Sequence, residues 1–203
     1  MTRISLGELK TATRNRSARR GTDNDFFPPT PMPTAMAAVR RFHREGPARA
    51  LIELRRSFTT STYWGPGGRP QSRSWADAIV SAFEAYIELA SEDTRPVLDS
   101  GVTTEVRLGV HSVRVSIDVI LLDPQGYVGR HVLWDTSDLT VDDAQLQAAP
   151  IVAALESELG SGRVAGVEVW HLRSGAQVFV SSRDATRRLP EVERIVADYL
   201  ANI

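Results

Sequence analysis

Two aspartates in one stretch of the chain carry the chemistry most worth pursuing. Residues 112–137 read SVRVSIDVILLDPQGYVGRHVLWDTS, with Asp118 interrupting the first apolar run and Asp135 closing the second. The turn at Pro124–Gly126 folds the two runs into a hairpin. Alternate side chains of a strand share a face. Arg114, Ser116, Asp118 and Ile120 are therefore expected on one face, and Val115, Ile117, Val119 and Leu121 on the other. In the second strand His131, Leu133 and Asp135 share a face. If the polar faces meet, Asp118 and Asp135 converge at one end of the sheet. A hard cation such as Mg2+ or Mn2+ takes carboxylate and water oxygens, which two converging aspartates supply. Glu84 and Glu88 lie one helical turn apart on the preceding helix and offer a third carboxylate, with Glu84 the candidate ligand. Such a site leads to phosphodiester chemistry.

Each aspartate also has a plainer reading. Asp118 could pair with Arg114 or Arg130, and Asp135 could cap the loop into the next helix. Trp134, Trp170 and Phe179 read most simply as core. The four histidines have no ligand spacing, which argues against zinc. Gly65-Pro66-Gly67-Gly68 is followed by no lysine and is not a phosphate-binding loop.

The elements that must position these residues follow from periodicity. Residues 34–45 and 47–58 read as helices separated by Gly46, with Pro47 opening the second. A third helix starts at Ser74, carries Ile79, Ala82, Phe83, Tyr86, Ile87 and Ala90 on one face, and ends before Pro96. The period then changes to two. Residues 103–110, 112–122 and 127–135 form an antiparallel meander, a helix spans 141–159, and 164–173 and 176–182 are two more strands. Leu189, Pro190 and Glu191 open a last amphipathic helix. A helix crossing from the third strand to the fourth implies a mixed sheet. The expected fold is α+β, a mixed central sheet of about five strands flanked by helices.

A chain of 203 residues suits one domain with an appendage. The expected division is a basic N-terminal extension with helices over 1–73 and an α/β core over 74–203. Residues 1–73 hold 14 Lys+Arg against 5 Asp+Glu, and 74–203 hold the remaining 10 against 20. That third could track phosphates, or pack against the acidic remainder. Tyr63 and Trp64 stand near Arg69 and Arg73, a pattern that either stacks on unpaired bases or plugs the loop onto the body. Residues 26–33, FFPPTPMP, read as an extended segment, and Ser5 with Glu8 could cap a short helix near 6–14. The absence of cysteine excludes disulfides, thiolate metal sites and cysteine nucleophiles. No apolar run is long enough to span a membrane and MTRISLGELK lacks a signal-like apolar core, so a cytoplasmic location is the default expectation.

Helix–β–β–β–helix–β, with an aspartate in the second strand and an acidic residue closing the third, resembles the PD-(D/E)XK nuclease superfamily, most of all its RecB-type branch. The likeness covers roughly residues 74–182. It implies a restriction-endonuclease-like core in which Asp118 and Asp135 bind a divalent metal, and in which Gln147, or else Gln145, is the helix glutamine that holds substrate or orders the site. This sequence departs from the pattern in two places. Asp135-Thr136-Ser137 puts serine where the motif has lysine, and Lys10 is the only lysine in the chain. Ile151 stands where Gln147 would call for tyrosine four residues on, and Ala149 where Gln145 would. Arg130, His131, His171 and Arg173 are left to take over the lysine's role. Arginine stays protonated but can stabilise developing phosphorane charge, while His171 could take a proton near neutral pH.

Two functions are therefore expected. One is a divalent-metal-dependent nuclease acting on DNA, with Arg69, Arg73, Arg130 and Arg173 as nucleic-acid contacts. The alternative is a catalytically inactive nuclease-fold module that binds nucleic acid, a protein partner or a second copy of itself.

Overall fold

The structure is a computed structural model that describes residues 3–5, 32–60, 73–134 and 138–201. Its elements in chain order are β1 (Arg3–Ser5), α1 (Met32–Glu45), α2 (Pro47–Thr60), α3 (Arg73–Glu92), β2 (Val97–Leu108), β3 (His111–Asp123), β4 (Gly126–Leu133), α4 (Val141–Leu159), β5 (Val164–His171), β6 (Ala176–Ser181) and α5 (Ser182–Leu200). The expected α+β fold is present: a mixed sheet flanked by helices, with a helical N-terminal part.

Local sequence explains the breaks. Gly46 ends α1 in the left-handed region, at φ 88°, and its N–H donates to the Phe42 carbonyl. Thr140 caps α4 by accepting the Asp143 N–H at 3.1 Å, and α4 ends at Gly160 as expected. The final helix differs from expectation. It starts at Ser182, a full two turns before Pro190, because Ser181 accepts the Asp184 N–H at 3.1 Å and Ser181 Oγ in turn bonds the Asp184 carboxylate. Pro190 lies within the helix. β2 starts six residues earlier than its alternation implies, in a segment where Val97 and Leu98 are exposed. β4 stops at Leu133, short of Asp135.

β2, β3 and β4 form the antiparallel meander. The chain then crosses through α4 to β5, which runs parallel to β4, and β6 returns antiparallel to β5. β1, which the sequence did not announce, adds three residues parallel to β3 opposite Ser112–Arg114. The expected helix near 6–14 and the loop with Tyr63 and Trp64 lie outside the described residues, as do residues 26–31 of the expected extended segment 26–33, whereas Met32 and Pro33 belong to α1 because proline is tolerated in a helix's first turn.

Two apolar cores sandwich the sheet. One joins Val113, Val115, Ile117 and Val167 to Ile151 and Leu155 of α4 and Val192 and Val196 of α5. The other joins Val119, Leu121, Val132, Trp134 and Trp170 to Val39, Leu54, Phe83 and Tyr86 of α1, α2 and α3. The first two helices are thus built into the same packed layer as α3. Burial of this kind stabilises by about 25 cal/mol per Å2 of apolar surface.

One feature of β3 corrects the sequence reading. Ile117 and Ile120 belong to the core under α4 and α5, whereas Val119 and Leu121 belong to the core under α1 to α3. The strand changes phase at Asp118 instead of keeping Ile117 and Val119 on one face. The pairs Val102–Ile117 and Ser100–Val119 set Gly101 opposite Asp118, and Gly101 has φ 68°. A left-handed residue bends β2 there, and β3 follows without losing register.

Candidate functional site

The phase change coincides with a fork. β3 pairs with β4 from Asp123–Gly126 up to Val119–Arg130, where the ladder stops. β1 takes the same side of β3 at Ser112–Arg114, so among the described residues positions 115–118 have no ladder partner on that side. Asp118 stands at the crotch of the fork and is 2% exposed. Its Oδ2 accepts the Val132 N–H at 2.8 Å, substituting for the missing backbone partner. His131 Nδ1 lies 3.2 Å from the same oxygen. That nitrogen is buried and meets no hydrogen-bond partner of good geometry. Of the two arginine partners entertained for Asp118, Arg130 is committed elsewhere.

Arg130 is fully buried and belongs to a charged network beside the fork. Its Nε and Nη2 donate to Glu168 Oε2 at 3.0 and 2.8 Å, and Nη2 also bonds Asp93. Its guanidinium carbon sits 3.6 Å from the Trp170 ring centroid, a cation–π contact. Arg95 grips Asp93 with two bonds of 2.9 and 2.7 Å and Glu168 with one of 2.6 Å, and lies 3.6 Å from Asp123. The Arg95 bonds, opposed by burial and reinforced by Arg130, hold the Asp93 carboxyl well below the usual carboxylate range. Arg95 is correspondingly pushed up, first by its bonds to Asp93.

Tyr86 and His43 extend the network toward α1. The Tyr86 hydroxyl and His43 Nε2 are 2.6 Å apart, and Tyr86 is fully buried. Burial raises the phenol well above its ordinary value, so it stays protonated, and it also receives a bond from Arg130. Burial, helped by the Arg130 charge, lowers His43 to about 4.

The remaining candidates are dispersed. Glu84 accepts from Arg55 at 2.7 Å on the exposed side of α3. Gln147 is half-buried on α4, on the opposite side of the sheet from α3. His171 ends β5 next to Leu133, is 2% exposed, and has Nδ1 2.7 Å from Ser174 Oγ. Arg173 is exposed in the turn to β6. Arg73 opens α3. Asp135 and Arg69 lie outside the described residues. Among the described residues no group of three or more His, Asp or Glu is placed to hold a metal ion.

The charged network went unread in the sequence, yet it left a signal. Arg130 interrupts the apolar run of β4 and Glu168 that of β5, and the two are register partners. Opposite charges within neighbouring apolar strands read as a buried pair, because neither can be buried alone.

No protein-family model matches the chain, and no curated protein matches it. Among solved structures it is similar to a candidate exonuclease from Eubacterium rectale, with a TM-score of 0.48 and 12% identity over 98% of this chain and 82% of that one. It is also similar to the protein SSO0001, with a TM-score of 0.43 and 11% identity over 99% of this chain and 76% of that one. Likenesses this remote fix neither activity nor ligand. Among the described residues no helix is long and apolar enough to cross a membrane.

Proposed function

We propose that this chain is a nuclease-like protein of PD-(D/E)XK type that binds DNA and places a divalent cation, Mg2+ or Mn2+, at the fork through Asp118 and Asp135. The observation that carries the reading is Asp118 itself, a carboxylate held at the point where β3 and β4 part, on the strand order that the resemblance calls for. His131 Nδ1 stands 3.2 Å from the same carboxylate. A bound cation would polarise a phosphodiester and lower the pKa of a bound water. The chain's own contribution would be positional. The Val132 N–H fixes the Asp118 carboxylate in the plane of the two strands, and the Arg130 network holds β4 and β5 to the end of α3. The exposed Arg173 and the basic N-terminal third supply charge for phosphates.

The test is incubation of the protein with single- and double-stranded DNA in Mg2+ or Mn2+. Cleavage that disappears in Asp118→Ala supports the reading, and cleavage indifferent to that substitution rejects it.

A second reading is favoured by one feature, Ser137 at the position where the motif has lysine. On that reading the module binds DNA, or a protein partner, without cutting. DNA retention without cleavage, weakening steeply with salt, distinguishes it from the first. Absence of retention even at low salt leaves the protein partner or a homodimer.

A further inference from the structure

We infer that this chain forms a two-fold dimer by pairing the outer edge of β2 with the same edge of a second copy, antiparallel, with Val106 on the axis. The inference goes beyond the nuclease-like reading and does not depend on whether the chain cuts DNA.

The edge itself is the first observation. β2 runs for 12 residues, and among the described residues it pairs with β3 alone. α1 reaches it at Gly101 through Arg40. Beyond that point Thr103, Glu105 and Arg107 are exposed. An open edge is a template for another strand unless proline, a bulge or a guarding charge blocks it. The ladder from Asp99 to Leu108 has no register shift, and no proline interrupts it. The opposite edge, β6, has only 6 residues and no charge between Ala176 and Ser181, so nothing along it selects one register.

The turn after β2 decides which backbone groups face outward. Leu108 and His111 are register partners around the two residues Gly109 and Val110. The closing pair of such a turn exchanges both of its backbone hydrogen bonds, and hydrogen-bonded pairs alternate along the ladder. Leu108, Val106 and Thr104 therefore direct their N–H and C=O groups to β3. Arg107, Glu105 and Thr103 direct theirs outward.

Charge then selects the register. With Val106 set against its own copy, Glu105 stands opposite Arg107 of the second copy, and Arg107 opposite its Glu105. Slipping one strand by two residues sets Glu105 against Glu105, or Arg107 against Arg107. Opposite charges directly across an antiparallel pair attract, and like charges repel. Both side chains are steadied along the strand. Glu105 accepts from Ser112 Oγ at 3.1 Å, and Arg107 Nε donates to the Gly109 carbonyl at 3.3 Å. A carboxylate and a guanidinium each take several partners at once. The same register accounts for Val110, which is 75% exposed at the tip of the turn. It falls beside Val102 of the second copy, a residue packed against the core under α4.

The experiment is sedimentation equilibrium of the full chain and of two exposed-site variants, Glu105→Arg and Arg107→Glu. The wild-type chain should sediment at twice its 22.3 kDa mass. Each variant alone turns two attractions into two repulsions, so its dimer should weaken by about tenfold or more. Mixed in equal amounts, the two variants should associate again, because the arginines of one then face the glutamates of the other. The chain carrying both substitutions should dimerise like the wild type. A wild-type chain that is monomeric at about 100 μM, far above the dissociation constant of a micromolar complex, overturns the proposal. A dimer indifferent to both single variants overturns it too, by placing the interface elsewhere. Single variants that fall apart and do not recover on mixing overturn the register. Recovery on mixing shows that both variants are folded, so misfolding cannot imitate the expected result.

Discussion

Gly101 and Asp118 face each other across β2 and β3 at the one place where β3 switches the core to which its residues belong. The relationship is reciprocal. Gly101 takes φ 68°, and its carbonyl receives Arg40 Nη2 at 2.6 Å. A side chain at this position meets both the strain of the left-handed region and a filled space, since an added Cβ would fall 2.2 Å from Arg40 Nε. Gly101→Ala should therefore cost about 1–3 kcal/mol in urea unfolding, and it should loosen the Asp118 crotch as well. Amide exchange at Val132 reads the second effect. An unchanged midpoint would mean that the bend is not required.

Asp118 has a structural duty that any catalytic test must separate from chemistry. Its Oδ2 is the acceptor for the Val132 N–H. Asp118→Ala leaves that buried donor without a partner, and a loss of about 1–3 kcal/mol is expected. Asp118→Asn keeps an oxygen of the same reach and should lose less. The two variants thus bracket the hydrogen bond, and chemical denaturation ranks them. Equal losses would show that the carboxylate's charge, set against His131, matters more than its shape.

Much of the fold was legible in the residues, and the failures share a cause. The meander, the crossover helix and the parallel β4–β5 pair follow from period and turn chemistry, which are local. The phase change at Asp118 depends on Gly101 in another strand, so no window along β3 could announce it. The start of α5 was missed because Pro190 outweighed the quieter Ser181–Asp184 capping pair. In the site, Asp118 was singled out as an acid interrupting an apolar strand, and it is 2% exposed. His131 was named only as a stand-in for the motif lysine, since its 3.2 Å approach to Asp118 across a fork is set by where the ladder ends. Arg130, read as a DNA contact, is buried in the interior and ion-paired there.

That burial makes Arg130 a sensitive charge. Removing one partner of a buried ion pair strands the others, which typically costs about 3–5 kcal/mol. Arg95 remains to neutralise Asp93 and Glu168, so Arg130→Ala should fall at the lower end of that range. Combining Arg130→Met with Glu168→Leu should cost less than the two losses added, with a coupling of about 0.5–3 kcal/mol. Strict additivity in the double-mutant cycle would mean that the pair contributes only as packing.

His43 gives the protein a pH dependence whose sign is fixed by its surroundings. Burial and the Arg130 charge hold it at about 4, below the 6.5 of a free imidazole. Between those values the unfolded chain binds a proton that the folded one refuses. Stability from this group is therefore present above pH 6.5, declines as pH falls toward 4, and is gone below. Asp93, depressed by Arg95 and Arg130, is separate, because its contribution is lost only under more acid conditions, from about pH 4 downward. Urea unfolding of the wild-type protein should therefore show a slope between pH 6.5 and 4. In His43→Gln the amide can still hydrogen-bond the Tyr86 hydroxyl in either direction but cannot titrate, so that slope should flatten while the more acid one persists. A slope that survives His43→Gln undiminished would assign it to another histidine.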